Sequence, residues 1–177
     1  MALPLPLGLD HPNLRGLHLR RLQQSDAAAF HAAVTTPAIG RMLFMFPADW
    51  PLAQAEALMH DLAPRDIVPF RLAIDSGDGR FLGSIGLVAD APAELAFFLA
   101  PDAQGHGVMR AALSGFLPMV FACFGFQGLH ARVYHDNPAS MALLRKAGFV
   151  ETGSMVGKCS AQRPGAERLH SFILARA

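Results

Sequence analysis

A short turn with two glycines is the part of the chain whose residue types and spacing best suit the binding of an anionic ligand. Residues 104–109 read Gln-Gly-His-Gly-Val-Met, between a strand-like run at 94–99 and a long apolar helical pattern. The first amides of a helix lack partners within it, and with the positive end of the helix dipole they attract anions. Glycines let a phosphate approach the backbone closely. The turn therefore predicts a site for a phosphate-bearing ligand.

Two common phosphate motifs do not fit this turn. A nucleotide-binding loop would continue into Gly-Lys-Ser/Thr, and a dinucleotide fingerprint would carry a third glycine. Neither pattern is present in residues 104–112. On the hexapeptide alone, an ordinary left-handed turn before a helix is an equal alternative.

The elements that must position this turn follow from the periodicity of apolar residues. Strands are predicted at residues 17–22, 69–74, 81–88, 94–99, 129–134, 149–156 and 169–174, and helices at 26–34, 52–62, 109–124 and 138–147. Residues 35–50 are predicted to be irregular, and Pro118 to kink or split its helix. The order β-α-α-β-β-β-α-β-α-β-β places a crossover helix between the strands at 94–99 and 129–134. That connection predicts a parallel pair inside a mostly antiparallel sheet.

Composition narrows the class of protein. The 177 residues carry a net charge of +1 without basic blocks, which argues against nucleic-acid binding. No apolar run is long enough for a membrane span, and the first residues lack the pattern of a signal peptide. We therefore expect one cytoplasmic domain over residues 1–177, with residues 1–16 as a mobile or edge-lying lead-in. Cys123 and Cys159 have no metal-ligand spacing, so no metal is expected; Cys123 is predicted to be a buried apolar residue.

Four further residues give the glycine turn a specific resemblance. Residues 104–109 resemble the Gln/Arg-x-x-Gly-x-Gly/Ala acyl-CoA signature of the GNAT N-acetyltransferases. Asn137 and Ser140, followed by Gly148 and Phe149, resemble the second signature of that superfamily. The version here is most similar to the branch of ribosomal-protein N-terminal acetyltransferases (RimJ/RimL-type). The resemblance implies an α/β (α+β) domain with a mixed, mostly antiparallel sheet, one splayed parallel strand pair, and helices on both faces.

The resemblance also implies acetyl-CoA as cosubstrate. Backbone amides from Gln104 to Arg110 would cradle the pyrophosphate, and the pantetheine arm would lie between the two parting strands. Asn137 would fix that arm, although Asn137-Pro138 is also a good start for a helix. Met109 stands where the family usually has a smaller residue. The residues predicted to contact the cofactor are Phe98, Leu99, Ala100, Gln104, Gly105, His106, Gly107, Val108, Met109, Arg110, Asn137 and Ser140.

Acyl transfer to an amine needs a base, donors for the oxyanion and a proton for the leaving thiolate. Glu94 is the candidate base because many GNAT enzymes carry a Glu on this strand; a surface carboxylate or an ion-pair partner is the equal alternative. Leu144 stands where many relatives have a Tyr acid, so Ser140 is the candidate donor, with a capping role as its alternative. His135, at the end of the parallel strand, is a further candidate base or donor.

The acceptor pocket of this fold is typically covered by a roof. Here the roof would be residues 42–47 with Trp50, between the helices predicted at 26–34 and 52–62, together with the loop at residues 158–167. Phe44, Phe46 and Trp50 are the predicted acceptor-binding residues. This apolar, Met-rich roof suits an N-terminal peptide or a hydrophobic small amine, and it suits a homodimer interface equally well. Acidic residues are few in these segments, which disfavours a polyamine acceptor.

Two classes of function remain open. The first is an acetyl-CoA-dependent N-acetyltransferase that moves an acetyl group to a primary amine, on a protein N-terminus or a small molecule, directly within a ternary complex. The second is an acyl-CoA-binding protein with weak or no catalysis, which the missing Tyr favours. The acyl group is open as well, since succinyl-CoA would fit the same cradle.

Overall fold

The computed structural model describes residues 2–62, 66–157 and 160–176. Two 3₁₀ turns, Gln24–Asp26 and Pro101–Ala103, precede the first and the fourth helix. The strands in these ranges are β1 (Leu7–Gly8), β2 (His18–Arg21), β3 (Phe70–Asp75), β4 (Phe81–Asp90), β5 (Ala93–Leu99), β6 (Gly128–Tyr134), β7 (Val150–Gly157) and β8 (Glu167–Ala175). The helices are α1 (Ala27–Thr35), α2 (Pro37–Gly40), α3 (Leu52–Leu62), α4 (Val108–Phe124) and α5 (Pro138–Lys146).

The strands form one sheet in the order β1-β2-β3-β4-β5-β6-β8-β7. Neighbouring strands are antiparallel except β5 and β6, which run parallel and pair only at Glu94 and His130. In contrast, β6 is paired with β8 from Gly128 to Tyr134. Since β5 and β6 share only this pair near the start of β5, a gap opens between their carboxyl ends. The predicted mixed sheet with one splayed parallel pair is confirmed.

Each face of the sheet has its own core, because side chains alternate along a strand. On one face Leu72 and Leu95 pack against α4 in a cluster that includes Phe116. On the other face Phe98 packs with Phe30 of α1 and Met59 of α3. Helices therefore cover both faces, as predicted, and the gap between β5 and β6 connects the two sides of the sheet.

One local expectation is corrected, and of the two effects predicted for Pro118 the split is excluded. The segment predicted to be irregular contains the short helix α2, whose first residue is Pro37; proline suits this position because its fixed φ is already helical and its missing N–H would be unbonded there. Pro118 does not split its helix, since α4 runs unbroken through it. The residues on either side of it, Leu117 and Met119, are buried, and their packing offsets the loss of one backbone hydrogen bond.

The lead-in segment lies along the edge of the sheet, as one of its two predicted forms requires. Leu7 of β1 pairs with Leu19 of β2, and Leu3 is buried in the core.

Cys123 is only half-buried, and Cys159 lies outside the described residues. None of the helices described here is both long and apolar enough for a bilayer crossing. Within the same ranges, no three His, Cys, Asp or Glu side chains are grouped as metal ligands would be.

Candidate active site

The glycine turn joins the carboxyl end of β5 to the start of α4. Gly105 and Gly107 have φ of +79° and +81°, in the left-handed region that glycine adopts without strain. Gly107 is the N-cap residue of the 17-residue helix α4, so the helix dipole points its positive end at the turn. A Cβ built on Gly105 would meet no atom within 4 Å. The turn therefore combines an open space with unpaired amides, as an anion cradle requires.

The side chains at the start of α4 explain why Met109 fits here. Val108 and Met109 are buried in the core beneath the sheet, and both also line the cavity beside the turn. Arg110 is exposed and lines the cavity beside the turn. The larger residue at 109 thus fills core volume and leaves the cradle open.

His11 connects the lead-in segment to this turn. No local pattern in the sequence predicts this contact. Its Nδ1 accepts hydrogen bonds from the backbone N–H groups of Asn13 and Leu14, at 3.2 and 3.0 Å. Since Nδ1 is an acceptor, Nε2 carries the proton and donates to the carbonyl of His106 at 2.7 Å. His106 itself is exposed and, unlike most of the residues predicted to contact the cofactor, does not line the cavity.

The backbone of β5 offers only some of its polar groups to the gap. The N–H of Ala100 donates to the carbonyl of Leu82 at 2.9 Å, so it points to β4, and N–H directions alternate along a strand. Phe98 therefore also pairs with β4, whereas Leu99 faces the gap. The carbonyl of Leu99 accepts a hydrogen bond from Gln104 Nε2 at 3.3 Å. Of the three predicted backbone contacts, this geometry leaves Leu99 as the one available to a ligand in the gap.

Asn137 and Ser140 form the start of α5 on the opposite side of the gap. The side-chain oxygen of Asn137 accepts a hydrogen bond from the Ser140 N–H at 3.1 Å, which makes Asn137 the N-cap of the helix. Both residues also line the cavity. The helix-start role and the cavity position of Asn137 thus occur together, and Ser140 is also a residue of the cavity wall.

Glu94, the candidate base, lies in an ion pair with Arg132 of β6. Its two carboxylate oxygens accept hydrogen bonds from Arg132 Nε and Nη2 at 2.8 and 2.7 Å, and these bonds hold the pKa of Arg132 above its usual value. The Arg132 guanidinium lies 5.4 Å from the ring centre of Phe44. The bidentate pair spans β5 and β6 where they begin to part, so the ion-pair alternative for Glu94 is realised at the cavity wall.

Three other positions with potential acid or base chemistry differ in their surroundings. Leu144, at the family's usual Tyr position, is fully buried and lines the cavity. Tyr134 is buried beneath the Arg163 guanidinium, 3.9 Å from its ring centre. His135 is exposed, with Nδ1 3.7 Å from a carboxylate oxygen of Glu167, and it does not line the cavity. The structure thus separates His135 from the residues that the gap brings together.

The roof segment is held by the loop before β8. The Ser160 hydroxyl donates to the carbonyl of Gly40 at 3.0 Å, and Gln162 Nε2 donates to the carbonyls of Val34 and Phe46 at 2.8 and 2.9 Å. These hydrogen bonds to Val34 and Phe46 hold the roof to a residue that is 128 and 116 positions later in the sequence, respectively. Two residues of the predicted loop, 158 and 159, lie outside the described residues.

Asp136 adds an ionic link between the roof and the end of β6. It pairs with Arg41 and with Arg163, and its hydrogen bond with Arg163 holds its pKa below the usual value. Arg163 also donates to the carbonyl of Arg41 at 2.7 Å. The position of the roof is therefore set by long-range contacts, for which the local sequence had no signal.

One cavity of about 780 Å³ passes through the gap and joins the turn to the roof. The predicted residues that line it are Phe44, Phe46, Glu94, Phe98, Leu99, Gln104, Gly105, Gly107, Val108, Met109, Arg110, Asn137 and Ser140. Trp50 does not line the cavity; it packs against Phe46 from behind, with ring centres 4.7 Å apart. Ala100 is likewise outside it. Trp50 therefore supports the roof through Phe46. The prediction that Trp50 itself contacts the acceptor does not agree with this position.

Arg71 is a cavity residue that the sequence analysis missed. It lies on β3 with its side chain buried and at the cavity wall. The available signal was a single charged residue inside the apolar run Pro-Phe-Arg-Leu-Ala-Ile at 69–74. A charge at an inward position of a covered strand is unusual unless it is paired or bound.

Comparisons with known proteins agree with this geometry. A family described as acetyltransferase (GNAT) domain matches residues 16–150. Among curated proteins, the spermidine N(1)-acetyltransferase of Vibrio cholerae is 26% identical over 102 residues, which make up 55% of this chain and 56% of that protein. The match thus spans little more than half of that relative's length.

Solved structures show the same fold along most of the chain. The acetyl transferase from Salmonella typhimurium that modifies the N-terminal serine of a 50S ribosomal subunit protein has a TM-score of 0.75 and 15% identity, over 92% of this chain and 96% of that one. The spermidine N-acetyltransferase from Vibrio cholerae in complex with CoA and spermine has a TM-score of 0.76 and 20% identity, over 90% and 95%. At these identities the likeness concerns the fold, and it does not choose between the two acceptors.

Proposed function

Because the chain belongs to the acetyltransferase (GNAT) family, with residues 16–150 matched, we propose that it transfers an acetyl group from acetyl-CoA to a primary amine. The observation that carries the proposal is the continuous cavity through the gap between β5 and β6. Such a cavity lets the two substrates enter from opposite sides of the sheet and meet within it. Direct transfer in a ternary complex needs this arrangement.

The residues present fit acyl-CoA. The turn with the open, left-handed Gly105 and the left-handed Gly107, together with the first amides of α4, would hold the pyrophosphate. The backbone of Leu99 would pair with the amides of the pantetheine arm, as an added strand would, and Asn137 would contact the arm from the α5 side. When bound, the cosubstrate supplies an acetyl thioester, whose C–S bond breaks as the new C–N bond forms.

The chain's own residues would manage the protons of that exchange. Glu94 is the proposed base for the amine proton, acting through a water molecule. The Ser140 hydroxyl is the proposed donor to the departing thiolate and would regain its proton from solvent, since Ser140 lies at the cavity wall near the N-terminus of α5. Arg132 holds the Glu94 carboxylate in one orientation, which fixes where the proton is received.

The cradle is tested by placing a methyl group in it. Gly105→Ala adds a Cβ to the open space of the turn, and Gly125→Ala adds one to an equally open left-handed glycine at the other end of α4. Both substitutions carry a similar backbone cost. We expect CoA affinity, measured by calorimetry, to fall about tenfold or more only for Gly105→Ala. Equal effects of the two changes would exclude this turn as the pyrophosphate site.

The proton-transfer roles are tested by thiol release from acetyl-CoA with a reactive amine. We expect Ser140→Ala to lower kcat/KM about 100-fold. The control is Ser25→Ala, at an exposed serine that does not line the cavity. Glu94→Gln removes both the base and the ion pair, whereas Arg132→Met removes only the ion pair. A base role requires Glu94→Gln to be far more damaging than Arg132→Met; equal losses would leave Glu94 as an ion-pair partner.

A CoA-binding protein with weak or no catalysis is the second candidate. The buried Leu144 at the usual Tyr position favours it, since no phenol is available there to protonate the thiolate. A panel of amines and N-terminal peptides decides between the two. Gly105-dependent CoA binding without thiol release from any acceptor would establish the second candidate, and the same panel run with succinyl-CoA would settle the acyl group.

The acceptor side of the proposal is an amine on a protein N-terminus or on a small molecule. The Asn137-x-x-Ser140 signature supports the RimJ/RimL-type branch, and the apolar roof with Phe44 and Phe46 suits an uncharged side chain beside the amine. The same roof would also serve as a homodimer interface. Acceptor-dependent protection of the roof from proteolysis at a protein concentration where the chain is monomeric would favour the pocket.

A further inference from the structure

The Arg71 side chain is a buried charge at the cavity wall. Its exposure is 8%, and its Nη1 is buried with no hydrogen-bond partner. The Arg71 side chain forms no hydrogen bond or ion pair with any residue in the described ranges. Its placement contrasts with the rule that buried charges are paired or bind a ligand.

The acidic side chains near this part of the sheet are already engaged. Asp26 and Asp75 both bind Arg20. Glu94 binds Arg132 through both oxygens. Asp136 binds Arg41 and Arg163. The cavity therefore carries one positive charge at its roof end that no side chain of the described chain neutralises.

Arg71 is charged at neutral pH despite its burial. Removal from water lowers its pKa to about 10, which is still well above neutrality. An unpaired guanidinium in this environment costs free energy, and a bound anion would recover it. The planar guanidinium presents paired N–H groups that match a carboxylate or a phosphate.

The sheet register leaves room between Arg71 and the gap. Arg71 lies opposite Gly86 of β4, and Gly86 lies opposite Ala96 of β5. Cross-strand partners share a face, so this row has only small side chains between Arg71 and the gap. Two strand spacings amount to roughly 10 Å. A small acceptor molecule can span this distance with its amine in the gap and its other end at the guanidinium.

We propose that the acceptor amine also carries an oxyanion, a carboxylate or a phosphate, which Arg71 binds at the roof end of the cavity. This inference rests on the proposed acyltransferase function and names the class of its acceptor. Amino acids and aminoalkyl phosphates belong to this class. Polyamines do not, because a second cationic group would be brought toward an uncompensated positive charge.

Matched pairs of acceptors test the proposal. Amino acids with spacers of increasing length are compared with their amides, and aminoalkyl phosphates with the corresponding alcohols, in the thiol-release assay with acetyl-CoA. Wild-type protein is expected to prefer the anionic member of at least one pair. Arg71→Met should lower its kcat/KM for that anion about 100-fold, mainly through KM, and leave the neutral partner within about threefold. Arg71→Lys keeps the positive charge but lacks the paired N–H groups of the guanidinium. Its kcat/KM for the anionic acceptor should lie between those of the wild type and Arg71→Met.

Arg15→Met is the matched control, since Arg15 is exposed in the lead-in segment, and it should leave both acceptors unchanged. The carboxylate and phosphate arms distinguish which oxyanion is bound. A wild-type preference for amides, alcohols or polyamines would overturn the proposal. So would an equal loss of anionic and neutral acceptors in Arg71→Met.

A binding measurement separates this proposal from the proposed activity. Calorimetry with the N-acetylated product of each anionic acceptor, in the presence of CoA, reports on Arg71 without turnover. If no amine supports thiol release but an Arg71-dependent anion still binds, the acyltransferase function fails and the anion site stands. If neutral amines are acetylated and no anion depends on Arg71, the function stands and the anion site fails. A thermal melt of each variant confirms that it is folded.

Discussion

Arg20 and Arg71 lie on adjacent strands, β2 and β3, and point to the same face of the sheet, since Arg20 is paired with Ala73. Arg20 donates to Asp26 and Asp75 at 2.7 to 2.8 Å, and its hydrogen bonds to these carboxylates hold its pKa above the usual value. Arg71 is buried without a partner, and burial lowers its pKa. One sheet face thus holds two arginines in opposite electrostatic surroundings.

The contrast separates a structural charge from one that is available to a ligand. Arg20 joins β2 to the turn before α1, where Asp26 also accepts from the backbone N–H of Gln23 at 2.8 Å. The charge of Arg20 is therefore neutralised within the fold. Arg71 contributes no internal bond, so its charge is a cost to folding that only a bound partner offsets. Stability measurements on the two residues should therefore move in opposite directions.

The largest effect is expected from Arg20→Met. It would leave Asp26 and Asp75, which are 3% and 1% exposed, without their counter-ion. Breaking a buried ion pair by removing one partner costs about 3–5 kcal/mol. Urea denaturation should show a loss in the free energy of unfolding of this size. A loss below about 1 kcal/mol would mean that Arg20 does not support the fold in this way.

Low pH should also weaken the ion pair between Arg20 and Asp75, by protonating the carboxylate. Burial by itself would raise the pKa of Asp75, but hydrogen bonds from Arg20 and from the amides of Gly77 and Gly79 outweigh it and hold the pKa below its usual value. A carboxylate with a lowered folded-state pKa stabilises the fold above its unfolded pKa. That contribution is lost as the pH falls from about 4 through the folded value.

We therefore expect the free energy of unfolding of the wild type to decrease below about pH 4. In Arg20→Met this decrease should be shallower, because the main partner of Asp75 is gone. Denaturation series from pH 6 to pH 2.5 on both proteins measure the difference. Parallel curves would show that Arg20 and Asp75 are not coupled.

The smallest change in the free energy of unfolding is expected from Arg71→Met, and its sign is opposite to that of Arg20→Met. The two side chains have similar lengths, and the substitution removes an unpaired buried charge. We expect the free energy of unfolding to stay level or rise by about 1 kcal/mol in the absence of ligand. A loss of 2 kcal/mol or more would show that Arg71 has a structural role like that of Arg20, and would remove the basis for an anion site.

Local patterns predicted the elements well where one face of an element is buried. The helix at Leu52–Leu62 and the strands around the Ser-Gly-Asp-Gly turn follow from apolar spacing and turn residues. The left-handed glycines at 105 and 107 also stand where predicted. The contacts that hold the roof were not predictable, because Gln162 bonds Val34 and Phe46 across more than a hundred residues.

The sequence by itself determined the fold class, through the order of its elements and their apolar spacing. It also determined the glycine turn before α4 and the cap at Asn137, since both depend on backbone preferences within a few residues. Only the tertiary structure decided which side chains share the cavity. It paired Glu94 with Arg132, moved Trp50 behind Phe46 and left Arg71 without a counter-ion. Charge pairing depends on distances between strands that are remote in sequence, and a Coulomb interaction is decided by those distances and by burial. The identity of a residue gives its charge, but the fold gives that charge its partner.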